Sequence, residues 1–107
     1  MKTVGVAERA IAGLASPRAR LIDAATGAQW FGERLRAAVD EVAAALAPLP
    51  PGPVVCLTGN DLASVLRYLG VRAAARPAML IDANLPAAEV ADLVHRFEPA
   101  AVVGLGP

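Results

Sequence analysis

The stretch that decides the fold is VVCLT-GND-LASVLRYLGVRAA-ARP-AMLID, residues 54–82, continued by ANLPAAEVADLVHRFEPAAVV, residues 83–103. It contains three short apolar runs, at residues 54–58, 77–82 and 100–103. Segments with apolar residues at helical spacing separate these runs. Such alternation is typical of parallel strands joined by right-handed helical crossovers. We therefore predict a β-α-β-α-β unit with a mostly parallel sheet.

Each of the two connecting segments predicts an amphipathic helix. The first helix spans about 61–75, with Asn60 or Asp61 as its N-cap, and the second opens at Asn84 and carries Pro86 in its first turn. The apolar residues at helical spacing are expected to be buried: Leu62, Val65, Leu66 and Leu69 in the first helix, and Val90, Leu93, Val94 and Phe97 in the second. Arg67 and Arg72 point elsewhere in this prediction.

Upstream of this unit the pattern predicts a helix, a β-hairpin and a second helix. The first helix covers residues 6–14, the hairpin pairs 19–23 with 28–31 around Gly27, and the second helix covers 33–47. A rigid proline-rich loop, 48–53, leads into the sheet. The predicted fold class is α/β: an N-terminal helix and hairpin, then a three-layer β-α-β-α-β unit. We treat residues 1–107 as a single partial domain. The apolar faces of the two upstream helices are Ala7, Ala10, Ile11 and Leu14, and then Leu35, Ala38, Val39, Val42 and Leu46.

Charge and composition exclude several classes of function. Ten basic and ten acidic residues give a formal net charge of zero, so no electrostatic surface for nucleic acid or anionic lipid is predicted. The single cysteine excludes an internal disulfide and fits a reducing compartment. Prolines interrupt the longest uncharged stretch, 42–60, so it does not predict a membrane span. The expected location is the cytoplasm.

Few side chains are candidates for chemistry. Cys56 lies in an apolar run and is expected to be a small buried side chain, and His95 is expected to face solvent from its helix. Asp61 and Asp82 each follow a parallel strand, where α/β folds place ligands, but both also suit helix caps and turns. The residues 104–106, Gly-Leu-Gly, resemble only the start of a dinucleotide-binding loop. Neither a phosphate-binding P-loop motif nor a hydrolase or metalloprotease motif is found.

The order of these elements, together with several short motifs, resembles the N-terminal region of the adenylate-forming (AMP-binding) enzymes. This family includes acyl- and aryl-CoA synthetases, fatty acyl-AMP ligases and the adenylation domains of peptide synthetases. The resemblance covers residues 21–103, about four-fifths of the chain. The matching residues are Leu21-Ile22-Asp23, Thr26-Gly27, Trp30, Leu35, Val39, Leu46, residues 52–57, residues 59–61, Tyr68-Leu69-Gly70, Arg72-Ala73, Leu85-Pro86, Glu89 and residues 100–103. Phe31-Gly32 replace the usual Thr-Tyr, and Gly59 replaces a usual proline.

The resemblance implies an N-terminal portion or a split subunit of an AMP-forming acid–thiol ligase. Such an enzyme uses ATP and Mg²⁺ to adenylate a carboxylic acid and then transfers the acyl group to CoA or a carrier protein. The family's phosphate loop, its adenosine-holding residues and its C-terminal lysine lie beyond the matched region. No catalytic, cofactor-binding or metal-binding residue therefore carries over to this chain. The expected role is a scaffold, and the expected partner is a second polypeptide that carries the rest of the enzyme.

Two other interpretations remain open. In one of them the chain is a non-catalytic α/β interaction module that binds or regulates a partner enzyme. In the other the chain is a small nucleotide-binding protein that binds its ligand with the strand-end carboxylates, Asp61 and Asp82, and with residues 104–106. Only the nucleotide-binding interpretation requires ligand-binding groups at the carboxyl ends of the strands.

Overall fold

A computed structural model describes residues 18–105 of the chain. The elements are β1 (Arg20–Ile22), β2 (Gln29–Phe31), α1 (Gly32–Leu46), β3 (Val54–Thr58), α2 (Leu62–Ala73), β4 (Ala78–Asp82), α3 (Ala87–Phe97) and β5 (Ala101–Val103). The predicted α/β class and the predicted order of these elements are confirmed. The helix predicted over 6–14 lies outside the described residues.

The hairpin forms because its turn is closed by local hydrogen bonds. β1 and β2 pair antiparallel, with Leu21 opposite Trp30. Asp23 Oδ1 accepts from the backbone N–H groups of Ala25 and Thr26, at 2.9 and 3.3 Å. Gly27 has a φ of +76°, a conformation that costs glycine little. The predicted hairpin and the predicted role of Gly27 are therefore confirmed.

The main sheet is parallel, with the strand order β4-β3-β5. Its central strand β3 is buried from Val54 to Leu57, as expected for a strand covered on both faces. On one face Val54 and Cys56 pack with Val71 of α2 and Leu46 of α1. On the other face Leu57 lines a cleft with Val90 and Ala91 of α3. Helices therefore lie on both faces of the sheet, which makes the predicted three layers.

α1 buries the face that its sequence predicts. Leu35, Val39 and Leu46 are nearly inaccessible to solvent. α2 approaches this helix closely at Gly70, where an added Cβ would lie 2.3 Å from the Cβ of Val42. Only glycine fits such a contact, so Gly70 sets the distance between the two helices.

The predicted buried faces of the other two helices are partly wrong. In α2 the buried residues are Ser64, Gly70 and Val71, whereas Val65 is 42% exposed. The other members of the predicted stripe, Leu62, Leu66 and Leu69, are half-buried. At about 100° per residue the centre of this stripe lies away from Ser64 and Val71 on the helix. Phe97 of α3 is 47% exposed, while its stripe partners are half-buried. Pro86 is the N-cap of α3 and precedes its first turn.

A buried arginine joins the end of α1 to the proline-rich loop. Arg76 is 9% exposed, and its guanidinium donates to the backbone carbonyls of Leu46, Leu49, Pro50 and Gly52, at 2.9, 2.6, 2.7 and 3.3 Å. The carbonyls at a helix C-terminus lack partners within the helix and carry partial negative charge. Arg76 therefore satisfies these carbonyls and holds the loop that leads into β3.

Candidate functional site

The candidate site is the edge of the parallel sheet where its strands end. Thr58 and Asp82 end β3 and β4 in the same register, and Gly104 follows β5. Ligands of open α/β sheets bind at this edge. The two carboxylates singled out from the sequence, Asp61 and Asp82, lie at or just after the ends of these strands.

Asp61 caps α2 and is part of a short chain of hydrogen bonds. Its Oδ1 accepts from the backbone N–H of Ser64 at 2.8 Å. Ser64 Oγ in turn accepts from the backbone N–H of Gly59 at 2.9 Å and from Arg67 Nη2 at 3.3 Å. Hydrogen bonding from Ser64, by its side chain and then its backbone, lowers the pKa of Asp61, and the nearby charge of Arg67 adds to this. Asp61 thus stays ionised as a cap.

Asp82 has the same kind of local role in a different turn. Its Oδ1 accepts from the backbone N–H of Asn84 at 2.8 Å. Asp82 and Asn84 line a shallow cavity of about 450 Å³ together with Thr58, Gly59 and Asn60. Asp61 instead lines a separate cavity of about 350 Å³ between the hairpin and α2. The two carboxylates therefore face different cavities, and each holds a turn.

Gly104 is fixed by close contacts from β3. Its φ is +94°, and an added Cβ would lie 2.5 Å from the carbonyl oxygen of Leu57. The same Cβ position is 3.2 Å from Nε of Arg67, a buried atom without a hydrogen-bond partner. This tight packing explains the glycine on structural grounds. Gly106, the second glycine of the predicted loop, lies outside the described residues.

Cys56 and His95 occupy the positions that the sequence predicts. Cys56 is 1% exposed in the central strand, and burial raises the pKa of its thiol although the charge of Arg67 opposes this. A buried thiol that stays protonated is a poor nucleophile. His95 is exposed near the end of α3. Within residues 18–105 no group of three or more His, Cys, Asp or Glu side chains is placed to hold a metal ion.

Two arginines with structural roles were missed from the sequence. Arg67 was expected to point away from the packed region, but it is half-buried beside Ser64 and Gly104. Arg76 follows α2 in a stretch whose sequence predicts no particular role for it. The four carbonyls that Arg76 binds lie 24 to 30 residues away along the chain, so no local pattern reveals them.

Comparison with known proteins gives no assignment. No protein-family model matches this chain, and no curated protein matches it either. Among the helices that the structure describes, none is long and apolar enough to cross a membrane.

Proposed function

We propose that this chain is the N-terminal portion, or a split subunit, of an AMP-forming acid–thiol ligase, and that it acts there as a scaffold in the cytoplasm. In the complete enzyme a carboxylate attacks the α-phosphorus of ATP and releases pyrophosphate, and a thiol of CoA or a carrier protein then displaces AMP. In this proposal ATP and Mg²⁺ are bound by residues of the rest of the enzyme. The resemblance over residues 21–103 suggests the family.

The structural support for a scaffold role is the use of polar groups at the carboxyl edge of the sheet. Asp61, Ser64 and Asp82 accept hydrogen bonds from backbone N–H groups of their own turns. Substrate binding would have to compete with these bonds. Residues at this edge therefore serve better to hold the ends of the strands than to carry out a reaction.

The observation that carries the proposal is an uncovered apolar side chain on the main sheet. Leu80 of β4 is 58% exposed, although it lies in register with Cys56 of β3, which is buried. Residues in register on neighbouring parallel strands project from the same face. β4 also has a strand neighbour on only one side among the described strands. Such an edge is a natural place for further protein to pack.

The test is ATP–pyrophosphate exchange, measured with and without a polypeptide that carries the family's phosphate loop. We expect no exchange from this chain alone and exchange from the mixture. A Leu80→Asp variant should weaken the complementation at least tenfold, because a charge replaces an apolar side chain at the contact. Ala44→Asp, on the exposed side of α1, is the matched control and should complement normally. Exchange by the chain alone would contradict the scaffold role.

The alternative is a non-catalytic α/β interaction module that binds or regulates a partner enzyme. The same local use of Asp61 and Asp82 in turns favours this function equally. The two proposals differ in what the partner does alone. A partner that exchanges pyrophosphate equally well without this chain, but still binds it through Leu80, would establish the interaction module instead.

A further inference from the structure

Arg67 of α2 is a half-buried cation that uses little of its hydrogen-bonding capacity. Its Nη2 donates to Ser64 Oγ at 3.3 Å, and this is its one hydrogen bond within residues 18–105. Nε is buried without a partner, and Nη1 has no partner either, although it is accessible to solvent. No carboxylate in the described part of the chain lies within ion-pair distance of this guanidinium. Arg76, by contrast, donates to four carbonyls.

The guanidinium of Arg67 is suited to an acceptor that residues 18–105 do not supply. A buried donor without a partner costs free energy, because it has lost its hydrogen bond to water. Arginine presents five N–H donors in a planar fork, which matches the two oxygens of a carboxylate or a phosphate group. An oxyanion that reaches Nη1 would therefore provide both the acceptor and the negative charge that this side chain lacks.

Arg67 lies where open α/β sheets bind their ligands. The strand order β4-β3-β5 creates a topological switch point between β3 and β5, because the chain leaves β3 towards β4 and then crosses back to β5. Ligands bind in the crevice outside the carboxyl ends of the strands at such a point. An added Cβ on Gly104, directly after β5, would lie 2.5 Å from the carbonyl oxygen of Leu57 in β3 and 3.2 Å from Nε of Arg67. The guanidinium is therefore beside the ends of both strands.

We propose that Arg67 is the centre of a binding site for an oxyanion, the carboxylate or phosphate group of a small ligand. Asp61 and Asp82, at the same edge, already accept hydrogen bonds in their own turns. The pKa of Asp61 is lowered chiefly by hydrogen bonding from Ser64 and also by the charge of Arg67, so Asp61 is close enough to weaken anion binding. The proposal concerns binding alone and is independent of the ligase assignment.

The test follows the Tm of the full chain during titration with inorganic phosphate and, separately, with acetate, at neutral pH and constant ionic strength set with chloride. A bidentate contact to one guanidinium near a carboxylate should give a Kd of about 1 mM. An anion at ten times its Kd should raise the Tm by roughly 6–11 °C. Arg67→Met should lose this rise. Arg36→Met, which removes the same charge from an exposed position of α1, should keep it.

The two anions distinguish the sources of the oxyanion. A rise with phosphate alone assigns the site to a phosphorylated ligand, and a rise with acetate alone assigns it to a carboxylic acid. An unchanged Tm with both anions would overturn the proposal. Equal rises in Arg67→Met and Arg36→Met would also overturn it, because the anions would then act only through general exclusion from the protein surface.

A second variant keeps the test decisive if Arg67→Met does not fold. Arg67→Lys retains the positive charge but lacks the planar fork of donors. Its Kd for the stabilising anion should therefore be about tenfold higher than that of the unmodified chain. An unchanged Kd for Arg67→Lys would exclude Arg67 as the binding group.

Discussion

Arg76 provides the sharpest test of how this fold is held together. Its guanidinium binds three carbonyls at 2.6 to 2.9 Å and a fourth at 3.3 Å. A net hydrogen bond contributes about 1 kcal/mol, so the three short bonds contribute about 3 kcal/mol. The Arg76→Met variant keeps much of the apolar packing but donates no hydrogen bond. We therefore expect it to lower the free energy of unfolding by about 3 kcal/mol.

The assay is urea and thermal unfolding followed by far-ultraviolet circular dichroism. For a domain of this size 1 kcal/mol shifts Tm by about 4–8 °C, so Arg76→Met should lower Tm by roughly 12–24 °C. The Tm of Arg76→Lys should lie between those of Arg76→Met and the unmodified chain, because an ammonium keeps the charge but lacks the planar fork of donors. Arg36→Met, at an exposed position of α1, is the matched control and should change stability by less than about 0.5 kcal/mol. A Tm for Arg76→Met within about 2 °C of the unmodified chain would refute this reasoning, since Tm scales with the lost free energy.

Three further predictions concern the α1–α2 contact, the buried thiol and the α2 cap. Gly70→Ala should lower the free energy of unfolding by about 1–3 kcal/mol, because the new Cβ would overlap Val42. In urea unfolding, the double variant with Val42→Ala should recover part of this free energy, and no recovery would contradict the contact. Cys56 should react with a maleimide only as fast as the chain unfolds, and rapid labelling in native buffer would contradict its burial. The pKa of Asp61 is lower in the folded chain than its ordinary value of 3.8, so the unfolded chain binds a proton at Asp61 more readily. The contribution of Asp61 to stability is therefore fully present above the ordinary pKa and is lost as the pH falls through the lower pKa of the folded chain. Thermal unfolding at a series of pH values should therefore show that the Tm of Asp61→Asn, which keeps a good N-cap, falls less steeply at acid pH than the Tm of the unmodified chain. Identical pH profiles for the two proteins would contradict this role of Asp61.

Local features of the sequence were sufficient to predict most of the elements. β3 was predicted over 54–58, as observed, and α2 begins directly after the predicted cap Asp61. These features depend on residues within a few positions of one another: apolar runs, helical spacing and turn residues such as Gly27. The sequence also predicted helix caps and turns as one of two roles for Asp61 and Asp82, because capping needs only neighbouring backbone N–H groups.

By itself, the sequence determined the order and type of the elements between residues 18 and 105. Only the tertiary structure decided which side of α2 is buried, because that helix is apolar on two sides. The packing depends on Gly70 meeting Val42, a contact between residues 28 positions apart. Arg76 likewise acquires its role only when α1 and the proline-rich loop are folded against it. Close packing between distant segments, and the satisfaction of carbonyls by a distant side chain, have no periodic signature in a sequence.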